Sequence, residues 1–151
     1  MRPFTILCAL FSGLLSSLAI ADTKVQIEFA QEITQYIDGR ILTKNQRTRF
    51  DCGERIYGVF QLENLENGSH QILTQWKSPG DKIEQVNKRT IAISSARQVV
   101  FLSSSIEFAG GDPLSSIIDP AAGFEAYIGK WTVDVVVDDI ILGSSSFQVL
   151  C

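Results

Sequence analysis

From Val25 the odd positions read Val25, Ile27, Phe29, Gln31, Ile33, Gln35 and Ile37, and the even ones read Lys24, Gln26, Glu28, Ala30, Glu32, Thr34 and Tyr36. Apolar side chains recurring every second residue share one face of a pleated strand, whereas a helix would scatter them around its axis. The alternation stops at Asp38-Gly39, a turn dipeptide. A strand this long is expected to switch from one sheet to another partway, as corner strands of sandwiches do.

The same period recurs downstream. Ile56, Gly58, Phe60 and Leu62 form one face of a strand that ends at Asn67-Gly68, read as a hairpin turn leading to a partner over His70 to Trp76. Pro79-Gly80-Asp81 turns the chain again, and strands rich in Ile, Val, Thr and Phe follow over 82–93 and 98–108. Gly110 to Gly123, with Pro113 and Pro120, reads as a long loop. Trp131, Val133, Val135 and Val137 then alternate with Thr132, Asp134, Val136 and Asp138, Asp138-Asp139 makes a tight turn, and Ile140 to Leu150 returns. Seven or eight strands, frequent turns and no long amphipathic helix predict an all-β, immunoglobulin-like antiparallel β-sandwich.

Residues 1–21 are set apart from this pattern. Arg2, an apolar stretch from Phe4 to Ile20, and Ala19-Ile20-Ala21 have the charged start, apolar middle and small-residue exit of a secretory signal peptide. The competing reading is an uncleaved anchor, but Ser12, Gly13, Ser16 and Ser17 interrupt the stretch and no stop-transfer charges follow. Cys8 follows Thr5-Ile6-Leu7 without the small residue a lipoprotein site needs. Cleavage after Ala21 would leave a single soluble domain over 22–151, with no membrane span. Removing Arg2 leaves 12 basic and 17 acidic residues, a net charge of −5, which gives a phosphate backbone or an anionic membrane nothing to grip.

Two cysteines remain, Cys52 and Cys151. In an oxidising compartment such a pair in a small domain reads as a disulfide, and a bond at the last residue ties down an end that otherwise frays. The alternative, a reactive thiol, wants a base or a Cys-x-x-Cys spacing. Cys52 has instead Asp51 and Glu54 beside it, which oppose a thiolate.

The segment Gly129-x-Trp131-Thr132-Val133-x-Val135, followed by Leu142-Gly143 and Phe147-x-Val149, resembles the closing hairpin of immunoglobulin-like domains exported by bacteria. Gly53-Glu54-x-x-x-Gly58-x-Phe60 and the stretch from Gly68-x-His70 to Trp76-x-x-Pro79 resemble uncharacterised bacterial secreted domains. The likeness covers roughly residues 50 to 149. It implies a sandwich fold and export into the periplasm or to the surface of a Gram-negative bacterium, and it assigns no catalytic residue. In antibody domains a Cys…Trp…Cys pattern bridges two inner strands, whereas here the cysteines fall near strand ends and Trp76 lies between them at no telling spacing. A chaperone-usher pilin would use its alternating N-terminal segment as a donor strand. Such subunits end near a penultimate tyrosine, and this chain ends Val149-Leu150-Cys151.

Residues able to carry chemistry are few. His70 is the sole imidazole, so any Ser-His-Asp or Cys-His set must use it, and its place after a turn reads as a rim position. Ser103 to Ser105 and Ser144 to Ser146 lack nucleophile-elbow glycines and read as solvated. One histidine and a committed cysteine pair leave no zinc set, and Asp112 and Asp119 in the long loop lack EF-hand spacing. No cofactor is expected. Trp76 and Trp131 fall in phase with apolar neighbours and read as core, whereas Tyr36, Tyr57 and Tyr127 fall off those faces and are the candidate ligand-contact aromatics. Asn67-Gly68-Ser69 is a glycosylation sequon that coincides with the turn. The expected function is a non-catalytic exported binding module that contacts another exported or envelope protein. A carbohydrate-binding or adhesin-type subunit is the first alternative, and a small hydrolase with paired carboxylates is the second.

Overall fold

The computed structural model describes residues 22–95, 98–108 and 123–151. The expected signal peptide, most of the long loop, Asp112 and Asp119 lie outside the described residues. Among the described residues nine strands run β1 (Lys24–Gln35), β2 (Ile41–Gln46), β3 (Arg49–Asp51), β4 (Ile56–Glu63), β5 (Gly68–Lys77), β6 (Ile83–Ile93), β7 (Val100–Ile106), β8 (Gly129–Val137) and β9 (Ile140–Leu150). They form a four-stranded sheet in the order β2-β1-β4-β7 and a five-stranded sheet in the order β3-β9-β8-β5-β6. The fold is an immunoglobulin-like β-sandwich: β4 and β7 take the places of strands B and E in one sheet, and β5, β8 and β9 those of C, F and G in the other.

Three sequence-based expectations are corrected here. Strands β2 and β3 were not foreseen, because Ile41 to Asp51 has no sustained alternation and carries Lys44, Arg47, Arg49 and Asp51. The sheet switch falls between these two strands and not within β1: β1 stays in one sheet, pairing with β4 over Lys24 to Ala30 and with β2 over Ala30 to Gln35. Asn67-Gly68 makes no hairpin either. It lies at a corner between β4 and β5, which belong to opposite sheets, so the turn signal is used to cross the sandwich.

The other turns form as expected. Ser78 and Lys82 close the β5–β6 hairpin around Pro79-Gly80-Asp81, with Asp81 at φ 58°. Asp138 and Asp139, at φ 48° and 69°, make the two-residue β8–β9 turn with the left-handed pair of angles that matches strand twist. The N-terminal half of β9 carries one extra residue where its register with β8 shifts between Val135 and Val136.

The core is aromatic and lies between the sheets. Trp76 and Trp131 are fully buried, as their phase predicts. Phe147 sits at the centre of the ring cluster, with centroids 4.8 Å from Phe29, 5.7 Å from Phe50, 5.9 Å from Trp76 and 6.2 Å from Trp131. Each indole N–H finds an acceptor: Trp76 Nε1 donates to Ser104 Oγ at 3.0 Å and Trp131 Nε1 to the Tyr127 carbonyl at 2.7 Å. Gly58 makes room for this cluster, since a Cβ there would lie 2.7 Å from Phe60 Cζ and 3.2 Å from Trp76 Cζ2.

Cys52 and Cys151 form the expected disulfide, with Cα atoms 5.3 Å apart. Its position explains itself in the topology. β3 and β9 are parallel and share only three register pairs, and the bond clamps the ends of both strands, where Cys52 N–H also donates to the Leu150 carbonyl at 3.0 Å. A parallel ladder this short needs such a staple.

Candidate functional site

The β1–β2 hairpin is bent over the outer face of its own sheet. Thr43 stands opposite Ile33 in the ladder, yet its hydroxyl donates to Glu28 Oε2 at 3.0 Å. Glu28 lies five residues back along β1 from Ile33, a span of about 16 Å in a flat strand, and two side chains cover it only if the hairpin curls. The curl buries Ala30, Ile41 and Val59, which a flat sheet would leave on its solvent face.

A groove results between the hairpin and the sheet. Its inner chamber, about 210 Å³, is lined by Gln26 and Glu28 of β1, Ile41 to Thr43 of β2, Val59 and Gln61 of β4, and Phe101 of β7. It opens, past Arg40, Gln61 and Phe101, into a trough of about 610 Å³ between the hairpin tip and Gln98 to Val100. The floor is apolar and the walls carry amides and carboxylates. Glu28 is held by Thr43 and by Gln26 Nε2, which donates to it at 3.0 Å. At the mouth Arg40 Nε meets Asp38 Oδ2 at 2.7 Å and its guanidinium lies over the Tyr36 ring at 5.5 Å. The Arg40 backbone N–H and then its guanidinium hold the Asp38 carboxyl below its usual value.

Exposed apolar residues gather here. Of the ten large apolar side chains exposed among the described residues, Tyr36, Ile37, Leu42 and Val99 border this groove or its hairpin tip, and Ile37 is wholly exposed. Single exposed apolar residues are ordinary, but a cluster beside a concavity marks a contact surface. A second cluster, Ile140 and Ile141, tops the β8–β9 hairpin. Beside it a groove of about 380 Å³ is lined by Leu65, Val137, Ile140 and Leu142, with His70, Asp138 and Asp22.

The three candidate tyrosines do not share a surface. Tyr36 stands at the hairpin tip, six residues beyond the position of β1 that faces Tyr57. Tyr57 lies on the outer face of β4, and Tyr127 packs inward, stacked on Phe108 at 5.0 Å and tilted against Trp131 at 6.2 Å. Only Tyr36 stands near the groove, at the hairpin tip beneath the Arg40 guanidinium. Phe101, Gln61 and Arg40 are the groove residues that alternation alone did not single out, since nothing in the sequence reveals that the hairpin curls. His70 has both ring nitrogens engaged: its Nδ1 is 2.7 Å from Asp138 Oδ2 and its Nε2 is 2.8 Å from the Glu66 carbonyl.

On the outer face of the second sheet, Lys77 Nζ meets Asp134 Oδ2 at 2.6 Å. Burial opposes charge on Asp134, but Lys77 and the Ser144 hydroxyl outweigh it and hold the carboxyl below its usual value. The edge strands are guarded: β6 carries Glu84, Lys88 and Arg89, and Gln85 Nε2 caps the Ser105 carbonyl of β7 at 3.1 Å.

No protein-family model matches the chain, and no curated protein does. Among solved structures it is similar to the alkylpurine DNA glycosylase AlkC of Pseudomonas fluorescens bound to DNA containing an abasic site analog, at 15% identity and a TM-score of 0.45, over 87% of this chain and 31% of that one. It is also similar to β-glucosidase 3B of Thermotoga neapolitana in complex with α-D-glucose, at 13% identity and a TM-score of 0.41, over 82% of this chain and 16% of that one. The chain thus spans a third or less of the length of these proteins.

Proposed function

We propose that this chain is a non-catalytic exported binding module that acts through protein–protein contacts in the periplasm or at the surface of a Gram-negative bacterium. The observation that carries the reading is the concavity under the curled hairpin, with exposed Leu42 and Val99 in its lining and exposed Tyr36 and Ile37 at the adjoining hairpin tip. A hairpin tip that keeps an isoleucine wholly in water has no use within its own fold, and covering such a residue contributes about 1.5–3 kcal/mol to an association. The Cys52–Cys151 disulfide and the signal-like pattern of residues 1–21 support export. The scattering of Tyr36, Tyr57 and Tyr127 weighs against a sugar platform, which needs aromatic faces in a row.

Affinity capture from a periplasmic extract tests the reading, with residues 22–151 as bait and the Ile37→Asp variant beside it. A protein partner retained by the first and lost by the second is the expected result. Retention of polysaccharide with no protein partner would move the assignment to carbohydrate binding.

A further inference from the structure

His70 sits where two distant corners of the sandwich meet. It is the third residue of β5, and its ring spans from the β4–β5 corner, through the Glu66 carbonyl, to the β8–β9 turn, through Asp138. Asp138 is itself fixed. Its Oδ1 accepts the Gln71 N–H at 2.9 Å, and its own N–H donates to the Gln71 carbonyl at 3.0 Å. The ring is largely shielded, with its side chain 14% exposed, so solvent screens these contacts less than it would on an open surface.

The partners decide the protonation state. A backbone carbonyl and a carboxylate can only accept hydrogen bonds, and a neutral imidazole has one N–H to give. Satisfying both contacts requires N–H on both nitrogens, which is the imidazolium. The charged groups around the ring reinforce this. Asp138 comes from the turn, Glu66 from the corner and Asp22 from the segment entering β1, all acidic, while the residue facing His70 across to β6 is Ile91.

We propose that His70 is a pH-operated latch: as imidazolium it ties the β4–β5 corner to the β8–β9 turn, and on losing a proton to solvent it keeps Asp138 and releases Glu66. The neutral ring retains its remaining N–H toward the carboxylate, the stronger acceptor, which leaves the Nε2 lone pair facing the Glu66 carbonyl. That repulsion falls on the corner of residues 64–67, which forms one wall of the groove lined by Leu65, Val137, Ile140 and Leu142. The hydrogen bond to Asp138, then that to Glu66, raises the His70 pKa above its ordinary 6.5. A raised folded-state value gives stability that is complete below 6.5 and is lost as pH rises through that raised value.

With a single histidine the imidazole signal in an NMR titration is unambiguous. The folded protein is expected to titrate with a midpoint above 6.5, with both ring nitrogens protonated below it, and amide exchange at residues 64–67 should rise through the same midpoint beyond its intrinsic pH dependence. Asp138→Asn keeps an acceptor for Gln71 and tolerates the left-handed turn, and should lower the midpoint from its wild-type position. His70→Gln should remove the extra pH dependence of exchange at the corner, which decides the matter even where Asp138→Asn does not fold. A wild-type midpoint at or below 6.5, or corner exchange indifferent to it in both wild type and His70→Gln, would overturn the proposal.

Discussion

Gly58→Ala is the sharpest test of the packing described above. Gly58 is a strand residue flanked by Ile56 and Phe60 on the inner face of β4, and its backbone is open to any side chain, so the cost must come from crowding. The added Cβ would lie 2.7 Å from Phe60 Cζ and 3.2 Å from Trp76 Cζ2. A real contact of 2.7 Å is inaccessible, and both rings belong to a fully buried cluster with little room to retreat. Overpacking of this kind costs about 1–3 kcal/mol, less about 0.4–1 kcal/mol gained because alanine restricts the unfolded chain. The net expectation is a loss of about 1–2 kcal/mol, or about 3–8 °C in Tm for a domain of this size. Urea unfolding followed by indole fluorescence measures it directly, since Trp76 reports on the site. Phe60→Leu removes the clashing Cζ, so the double variant should recover part of the loss beyond additivity, with a coupling of about 0.5 kcal/mol or more. A Gly58→Ala protein as stable as the wild type, with no coupling to Phe60, would refute this account of the core.

Two further effects follow from the clamp and the buried ion pair. The Cys52→Ser, Cys151→Ser double variant opens a loop of 99 residues and should lose about 3–5 kcal/mol in chemical denaturation, with enhanced amide exchange along β3. Lys77→Met leaves Asp134, whose side chain is 6% exposed, with only a hydroxyl partner and should cost about 2–3 kcal/mol at pH 7. The Asp134 contribution in the wild type is complete above the ordinary 3.8 and is lost as pH falls through its depressed value, so the stability gap between wild type and Lys77→Met should narrow as pH falls through that range.

Much of the sandwich was written in the alternation of its strands. Trp131, Val133, Val135 and Val137 all join the core between the sheets because the side-chain period is two. The same logic placed Trp76 inside and made Asp138-Asp139 a turn. It failed where tertiary context overrides local pattern. Asn67-Gly68 has the chemistry of a tight turn, and only the pairing of β4 with β1 and β7 shows that it crosses between sheets. Strands β2 and β3 are short, lack sustained alternation and lie at sheet edges, where polar residues such as Lys44, Arg49 and Asp51 are tolerated. Phe147, the centre of the aromatic cluster, stands in the sequence only as part of the closing-hairpin likeness, and nothing between Ser146 and Gln148 marks it as the hub of the core. The groove was least legible. Its walls come from β1, β2, β4 and β7, and only the Thr43 to Glu28 bond reveals the bend that brings them together.

A photo-cross-linking side chain placed at residue 37 in cells, with one at residue 84 on β6 as control, tests the binding role most directly. The account predicts a discrete protein adduct from position 37, absent from position 84 and lost when Leu42→Asp is added. Adducts of equal yield from both positions, or none from position 37, would contradict the claim that the curled hairpin is the contact surface.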